Sequence, residues 1–426
     1  MDNVVFLNIV IFLIILIYIV RRYKKYKQIQ LIDFLLILFA LFFPIGLIRP
    51  YMGYESSIGY DIFQRYSLLE ESSIIVLIFL ILFIIGCHFG NSFFRLVVPK
   101  NTTKLEKYSA SYLSAFRKIT LVCSAFTFVL MILFIKSQGS IAEYFRNIES
   151  IRQVLSGQMG NYTVIYLNVL LSLYTILIHK KVVFASKIGI LISIVFFMVY
   201  GFRGPVISVL IITFFTLQKI NVFKIKFNVK NILIGITAIY LFVYFQDIRS
   251  TDSGKEPFLL KLITRFGGYE PVMVIENKVV QRGMFTPDTF MTNVISFFQL
   301  PIPRDMMEDK IKPVSILLTD KLFYDVGNRS FATGGISPTI VGSLIWNFHY
   351  LGCIVMLFYG AFSSYIENRF RFENRSFYIL INLSISLYLI LAIEYPENFM
   401  GVLWMLIIGL CLIYVMQIFL RSIIYK

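Results

Sequence analysis

Charged side chains are scarce in this 426-residue chain: Asp, Glu, Lys and Arg make up 15% of it, where a soluble domain carries about a quarter. The shortage excludes an ordinary water-soluble globule. It also excludes disorder, which needs high charge and few apolar residues. Cysteine and histidine are scarcer still. Cys87, Cys123, Cys353 and Cys411 all fall inside apolar runs, leaving no disulfide framework and no metal-type spacing. His88, His179 and His349 form no ligand cluster. A basic leader is also missing. The chain begins Met1-Asp2-Asn3, and Arg21-Arg22-Tyr23-Lys24-Lys25 follows the first apolar run. That is the reverse of a secretory signal and reads as a retained anchor with its N-terminus outside.

What the chain does have is apolar length: 58% hydrophobic residues and a mean hydropathy of +0.77. A helix crosses the hydrocarbon core with about 20 apolar residues, fewer when charged ends snorkel. Eleven segments qualify, with ten to twelve as the range: 4–20, 32–48, 73–89, 119–135, 162–178, 188–200, 205–217, 232–245, 338–366, 377–393 and 400–420. The sixth and seventh are short, so they read either as two tilted spans or as a re-entrant pair. None of the 40 basic residues falls inside a span. The expected fold is therefore all-α, a polytopic membrane helix bundle.

The net charge of +16 has two readings, a nucleic-acid surface or the basic cytoplasmic loops of a membrane protein. Placing the charges decides between them. With the N-terminus outside, the cytoplasmic segments hold 23 basic residues and the short outer ones 6. Counting both signs gives 23 basic against 4 acidic residues inside, and 17 against 20 outside. The excess thus sets orientation, with the C-terminus cytoplasmic, and implies no nucleic acid.

One soluble element stands out. Residues 246–337 form a long outer segment between the first eight spans (1–245) and the last three (338–426). Loops of this length usually carry function. Pro257 suits a helix start, and Leu259, Leu262, Ile263 and Phe266 then share one face, as in a short helix lying on the membrane or packed on the loop. Two further apolar stretches, 271–280 and 289–300, predict short helices packed over the outer mouth of the bundle. The segment holds 11 basic and 11 acidic residues. Arginine's planar fork suits diphosphate oxygens, and a carboxylate of perturbed pKa can act as a base on a hydroxyl. Structural ion pairs use the same residues. Arg203, in Gly201-Phe202-Arg203-Gly204-Pro205 at the outer ends of two short spans, is either a functional charge or one that snorkels to outer headgroups.

Three features together resemble the polytopic oligosaccharide repeat-unit polymerases, including O-antigen polymerases. They are the Gly201-Phe202-Arg203-Gly204 turn, the single large outer loop late in the chain, and Gly334-Gly335-Ile336-Ser337-Pro338-Thr339-Ile340-Val341-Gly342 running on through Asn347-Phe348-His349-Tyr350-Leu351-Gly352. The sequence departs from that pattern in lacking an acidic residue near Ser343 and a glycine near His349. The resemblance implies a fold similar to the C-type glycosyltransferases, with no cofactor and no metal. It implies transfer of a growing chain from undecaprenyl diphosphate onto a new lipid-linked unit, at the outer face of the bacterial inner membrane. Membrane lipid, a chain-length regulator and a flippase are the implied partners. On this view Arg203 and Arg249, backed by Arg265 and Arg282, neutralise the leaving diphosphate. Asp247, Glu270 and Glu276 are the candidate bases. A flippase for the same lipid-linked oligosaccharide is the competing reading. It is disfavoured because the long outer loop has no counterpart in the first half, as an internal repeat would give it.

Overall fold

The computed structural model describes residues 2–47, 66–97, 106–137, 159–199, 203–222, 268–277, 295, 298–299, 339–394 and 400–424. Nearly all of them are helical, and no strand occurs among them. The helices, in chain order, are α1 (Asp2–Tyr26), α2 (Leu31–Ala40, continued by a π-helical turn Leu41–Ile45), α3 (Tyr66–Val97), α4 (Ala110–Ser137), α5 (Met159–His179), α6 (Phe184–Val199), α7 (Arg203–Lys219), the short α8 (Tyr269–Ile275), α9 (Thr339–Phe348), α10 (Gly352–Phe372), α11 (Ser376–Glu394) and α12 (Met400–Ile424). Seven described segments are long and apolar enough to cross a membrane, and three shorter apolar helices accompany them.

Nine of the eleven expected spans coincide with single helices, and the ninth is divided between two. The eighth, 232–245, lies outside the described residues. Boundaries differ where helix continues beyond the apolar core: α3 begins at Tyr66 and α4 at Ala110, several residues before their hydrophobic runs.

The ninth segment needs a correction. It is not one continuous span over 338–366. α9 ends at Phe348, a 3-10 turn covers His349–Leu351, and α10 starts at Gly352. His349 has a left-handed φ of 55°, which an uninterrupted helix cannot contain. Gly352 makes the redirection possible, since a Cβ there would meet the Leu344 carbonyl oxygen at 2.7 Å. α10, with 21 residues, is about 32 Å long and long enough to span alone. α9 is a separate buried half-length helix packed against α8 and α11.

Hydrocarbon offers no hydrogen-bond partners, so buried polar side chains must find them within the protein. Most bond back to the carbonyl one turn earlier on their own helix, as Ser73, Thr120, Thr127, Ser172, Thr216, Ser363 and Ser384 do. A few reach across. Asn168 of α5 donates to the Gly189 carbonyl and to Ser193 Oγ of α6, each at 3.0 Å, and accepts from Ser124 of α4 at 2.9 Å. α5 is thereby tied on two sides and sits at the centre of the bundle, with Ile165, Val169, Leu170, Leu173 and Tyr174 fully or almost fully buried. α1 and α4 instead turn Phe6, Leu13, Ile17, Val122, Phe126 and Leu133 outward, the side expected to meet lipid.

The most extensive helix pair is α3 with α10, which run in the same direction. Small residues let their backbones touch. A Cβ on Gly86 would lie 2.0 Å from the Leu357 carbonyl oxygen, one on Gly90 2.1 Å from that of Ala361, and one on Gly360 2.2 Å from that of Phe83. Gly86 and Gly90 form the Gly-x-x-x-Gly spacing that permits close helix approach between membrane helices, where lipid supplies no hydrophobic drive to pack them.

At the C-terminal end of α1 the same bundle is fastened by charge. Arg22 donates through Nε to Asp33 at 2.7 Å and through one terminal nitrogen to both oxygens of Glu367 at 2.7 Å. Asp33 accepts the Gln30 N–H at the start of α2, and Glu367 also accepts the Ile32 N–H. Arg371 reaches Glu367 at 3.3 Å and stacks on the Tyr26 ring at 3.8 Å. Three helices are joined through two carboxylates and two guanidinium groups.

Because the atoms opposing Gly86 and Gly360 are backbone, they cannot swing away. Gly86→Leu or Gly360→Leu should cost about 3 kcal/mol or more, the upper range for overpacking. Ile78→Ala, on the outward face of α3, should cost far less. Melting of the detergent-solubilised protein checks this, and equal losses at Gly86 and Ile78 would contradict it.

Candidate functional site

Near the N-terminal end of α1, Asn8 meets α8. This helix belongs to the large loop. It is inserted among α1, α2, α3 and α9, with Tyr269, Val272, Met273 and Ile275 almost fully buried. Two contacts dock it. Pro44 lacks the N–H that would bond within its helix, and the chain there winds into the π turn. Beside that turn, the Phe42 carbonyl accepts the Gly268 N–H at 2.9 Å. Tyr269 then packs edge-on against Phe43 and donates its hydroxyl to Asn8 Oδ1 at 2.7 Å. Asn8 passes hydrogen bonds on to the Val4 carbonyl and to Ser73 Oγ, and Ser73 donates to the Leu69 carbonyl.

Just past α8 lies Glu276, 1% exposed. Ser72 Oγ donates to its Oε2 at 2.7 Å, and no ion pair reaches it among the described residues. Burial without a compensating cation favours the neutral acid. Burial is the largest influence on this carboxyl; the Ser72 hydrogen bond opposes it, and Glu71 nearby adds to it. Together they raise the pKa from 4.5 to about 7. A carboxyl poised there can exchange a proton with a hydroxyl near neutral pH.

Among the residues that the sequence nominates as diphosphate contacts or bases, Glu276 is the one whose side chain the structure describes. Glu270 lies on α8, and its backbone shares that helix. Arg203 is the first residue of α7, whose other end is fixed at the Arg22 end of the bundle: Gln218 donates to the Ile29 carbonyl and Lys219 to those of Phe370 and Arg371. The start of α7 is therefore at the same end of the bundle as Glu276. Asp247, Arg249, Arg265 and Arg282 lie outside the described residues, as do the 257–266 helix and the Gly334-Gly335 turn. Sequence reasoning passed over Asn8, Ser72 and Ser73. The signal available was Asn8, the one strongly polar residue within the apolar run 4–20, since an amide in a membrane helix needs a partner. Among the described residues no group of His, Cys, Asp or Glu could hold a metal ion.

A family model, O-antigen polysaccharide polymerase Wzy, matches residues 1–422. The chain belongs to that family. No curated protein and no solved structure matches it. Wzy membership covers nearly the whole length, so the helix bundle just described is the Wzy bundle of this chain. It carries the coarse function with it: a multi-pass bacterial membrane protein that polymerises O-antigen repeat units, a glycosyltransferase-type activity on lipid-linked oligosaccharide. The flippase reading is set aside in favour of this polymerase.

The geometry of Glu276 makes a titration prediction. A carboxyl whose pKa is raised on folding contributes stability below its unfolded value, near 4.5, and loses it as pH rises through about 7. The Wzy protein should therefore lose melting temperature as pH rises through that window, and Glu276→Gln should flatten the fall. Infrared difference spectra should show a protonated carboxyl band disappearing through about pH 7. Ser72→Ala removes the hydrogen bond that favours the charged form, so it should move that midpoint upward. An unchanged midpoint would exclude the Ser72–Glu276 bond.

Proposed function

We propose that the chain joins undecaprenyl-diphosphate-linked repeat units at the outer face of the inner membrane, with Glu276 as the general base. The observation that carries this reading is a buried carboxyl of near-neutral pKa on the large loop, without an ion pair among the described residues, at the bundle end where α7 begins with Arg203. Orientation follows from charge, with the N-terminus outside and the basic loops cytoplasmic. That puts Glu276 and Arg203 on the outer side, where lipid-linked units arrive. The parts of the chain then divide as membrane bundle (1–245), outer loop (246–337) and closing spans (338–426).

In the reaction, a hydroxyl at the non-reducing end of one lipid-linked unit attacks the anomeric carbon of the growing chain. The bond from that carbon to the diphosphate oxygen breaks, and the diphosphate leaves with the electron pair. Glu276, as carboxylate, accepts the hydroxyl proton. Arg203, with Arg249, Arg265 and Arg282 from the loop, neutralises the departing diphosphate, so the charge stabilisation comes from guanidinium groups and needs no metal. Asp247 and Glu270 are the alternative bases. A chain-length regulator and a flippase are the partners that such a step calls for.

Two substitutions test this in the parent bacterium, with surface polysaccharide separated on a gel and protein levels matched. Glu276→Gln keeps an acceptor for Ser72 but cannot take a proton, and extension should fall by about 10²- to 10⁴-fold, leaving single repeat units. Arg203→Ala should cost about 10²-fold, with partial recovery in Arg203→Lys. In membranes, extension by the unmodified protein should rise with pH along a limb near 7. A full ladder from Glu276→Gln would transfer the base role to Asp247 or Glu270.

A further inference from the structure

The opposite end of the bundle holds a second polar site, which the chemistry above does not use. Between the C-terminal halves of α1, α3 and α10 lies a half-open cavity of about 230 Å³. Arg21, Arg22 and Lys25 line it from α1, His88 and Asn91 from α3, and Asn368 with Glu367 from α10. The one acidic side chain in the lining is already occupied. Both oxygens of Glu367 are held by Arg22, and Arg371 and the Ile32 N–H bind them as well. Arg21 and Lys25 are exposed at the mouth and carry no ion pair among the described residues. On the wall, Asn368 donates to Asn91, and the Tyr18 ring meets His88 edge-on. The cavity thus presents positive charge and amide groups around a space that its own carboxylate cannot fill.

Exposed apolar side chains lie on the same helices. Ile17 and Val20 on α1 and Ile85 and Phe89 on α3 flank the lining residues in sequence, and all four are exposed. A ligand that satisfies both surfaces has an anionic head and an apolar tail. We propose that this cavity binds the phosphate headgroup of an anionic phospholipid, the phosphate held between Arg21 and Lys25 with the Asn91 amide, oriented by Asn368, at its base. Basic pockets between membrane helices take such headgroups, each cation contributing through the surface field and direct contact. The proposal is independent of the polymerase chemistry, because none of these residues takes part in it.

The test uses the full chain in a neutral detergent, with native mass spectrometry of bound lipid and thermal melting read in parallel. Phosphatidylglycerol should bind and raise the melting temperature, while phosphatidylcholine should do neither. Arg21→Ala and Lys25→Ala should each weaken phosphatidylglycerol about fivefold, and both side chains are exposed, so the fold should survive. Lys24→Ala, a neighbouring charge outside the cavity, should leave binding unchanged. Equal weakening by Lys24→Ala would reduce the effect to general surface attraction and overturn the site. Inorganic phosphate that stabilises as well as phosphatidylglycerol would make it a free-anion site and overturn the lipid assignment. Equal binding of phosphatidylcholine would overturn both.

Discussion

The bundle depends on a contact between two backbones. α3 and α10 approach so closely at Gly86, Gly90 and Gly360 that no side-chain carbon fits between them. Membrane helices gain nothing from leaving lipid for one another except packing and hydrogen bonds, so an interface of this kind must supply its stability by fit. α3 is 32 residues long and crosses the whole bundle. Fixing it against α10 fixes both of its ends at once. Ser72 and Ser73 lie at one end, where they meet α8 and α1. His88 and Asn91 lie towards the other, beside the charged cluster.

The two ends show what surroundings do to one residue type. Glu367 and Glu276 are both buried glutamates. Glu367 is held by Arg22 through both oxygens, with Arg371 and a backbone N–H beside them, so its charge is spent on joining helices. Removing a partner from such a cluster would leave an uncompensated buried charge, which is why it acts as a fixed fastening. Glu276 has a single hydroxyl donor and no cation among the described residues. Its protonation is left free to respond to pH near neutrality. A paired glutamate and an unpaired one are separated here by the number and sign of the neighbours.

Most of the fold could be read from the sequence because hydrocarbon thickness dictates helix length, and the apolar runs from 4–20 to 400–420 advertise it. The break at His349 could not be. Apart from Glu367 just beyond it, the segment 338–366 contains no Asp, Glu, Lys or Arg, and nothing in a hydropathy pattern reveals a left-handed φ. Gly352 and the kink are paired by packing against Leu344, which is a relation in space. The α3–α10 interface was half legible: the Gly86–Gly90 spacing is local, whereas its partner Gly360 lies some 270 residues away. At the candidate site, arginine-plus-carboxylate chemistry named Glu276 alongside Asp247 and Glu270 without ranking them. The surroundings of Glu276, through Ser72, Asn8 and the insertion of α8, are contacts between segments more than 200 residues apart.

The docking of α8 through the Gly268 N–H and the Phe42 carbonyl has a consequence for how this sequence can drift. A contact made by main-chain atoms does not depend on which side chain occupies position 42, provided that the irregular turn beside Pro44 persists. Position 268 has no such latitude, since any Cβ there would lie 2.7 Å from the Phe42 oxygen. Residues around the anchor can therefore be exchanged for others of similar size while the carboxyl eight positions later keeps its depth in the bundle. The backbone anchor thus fixes the position of that carboxyl more strictly than the side chains around it.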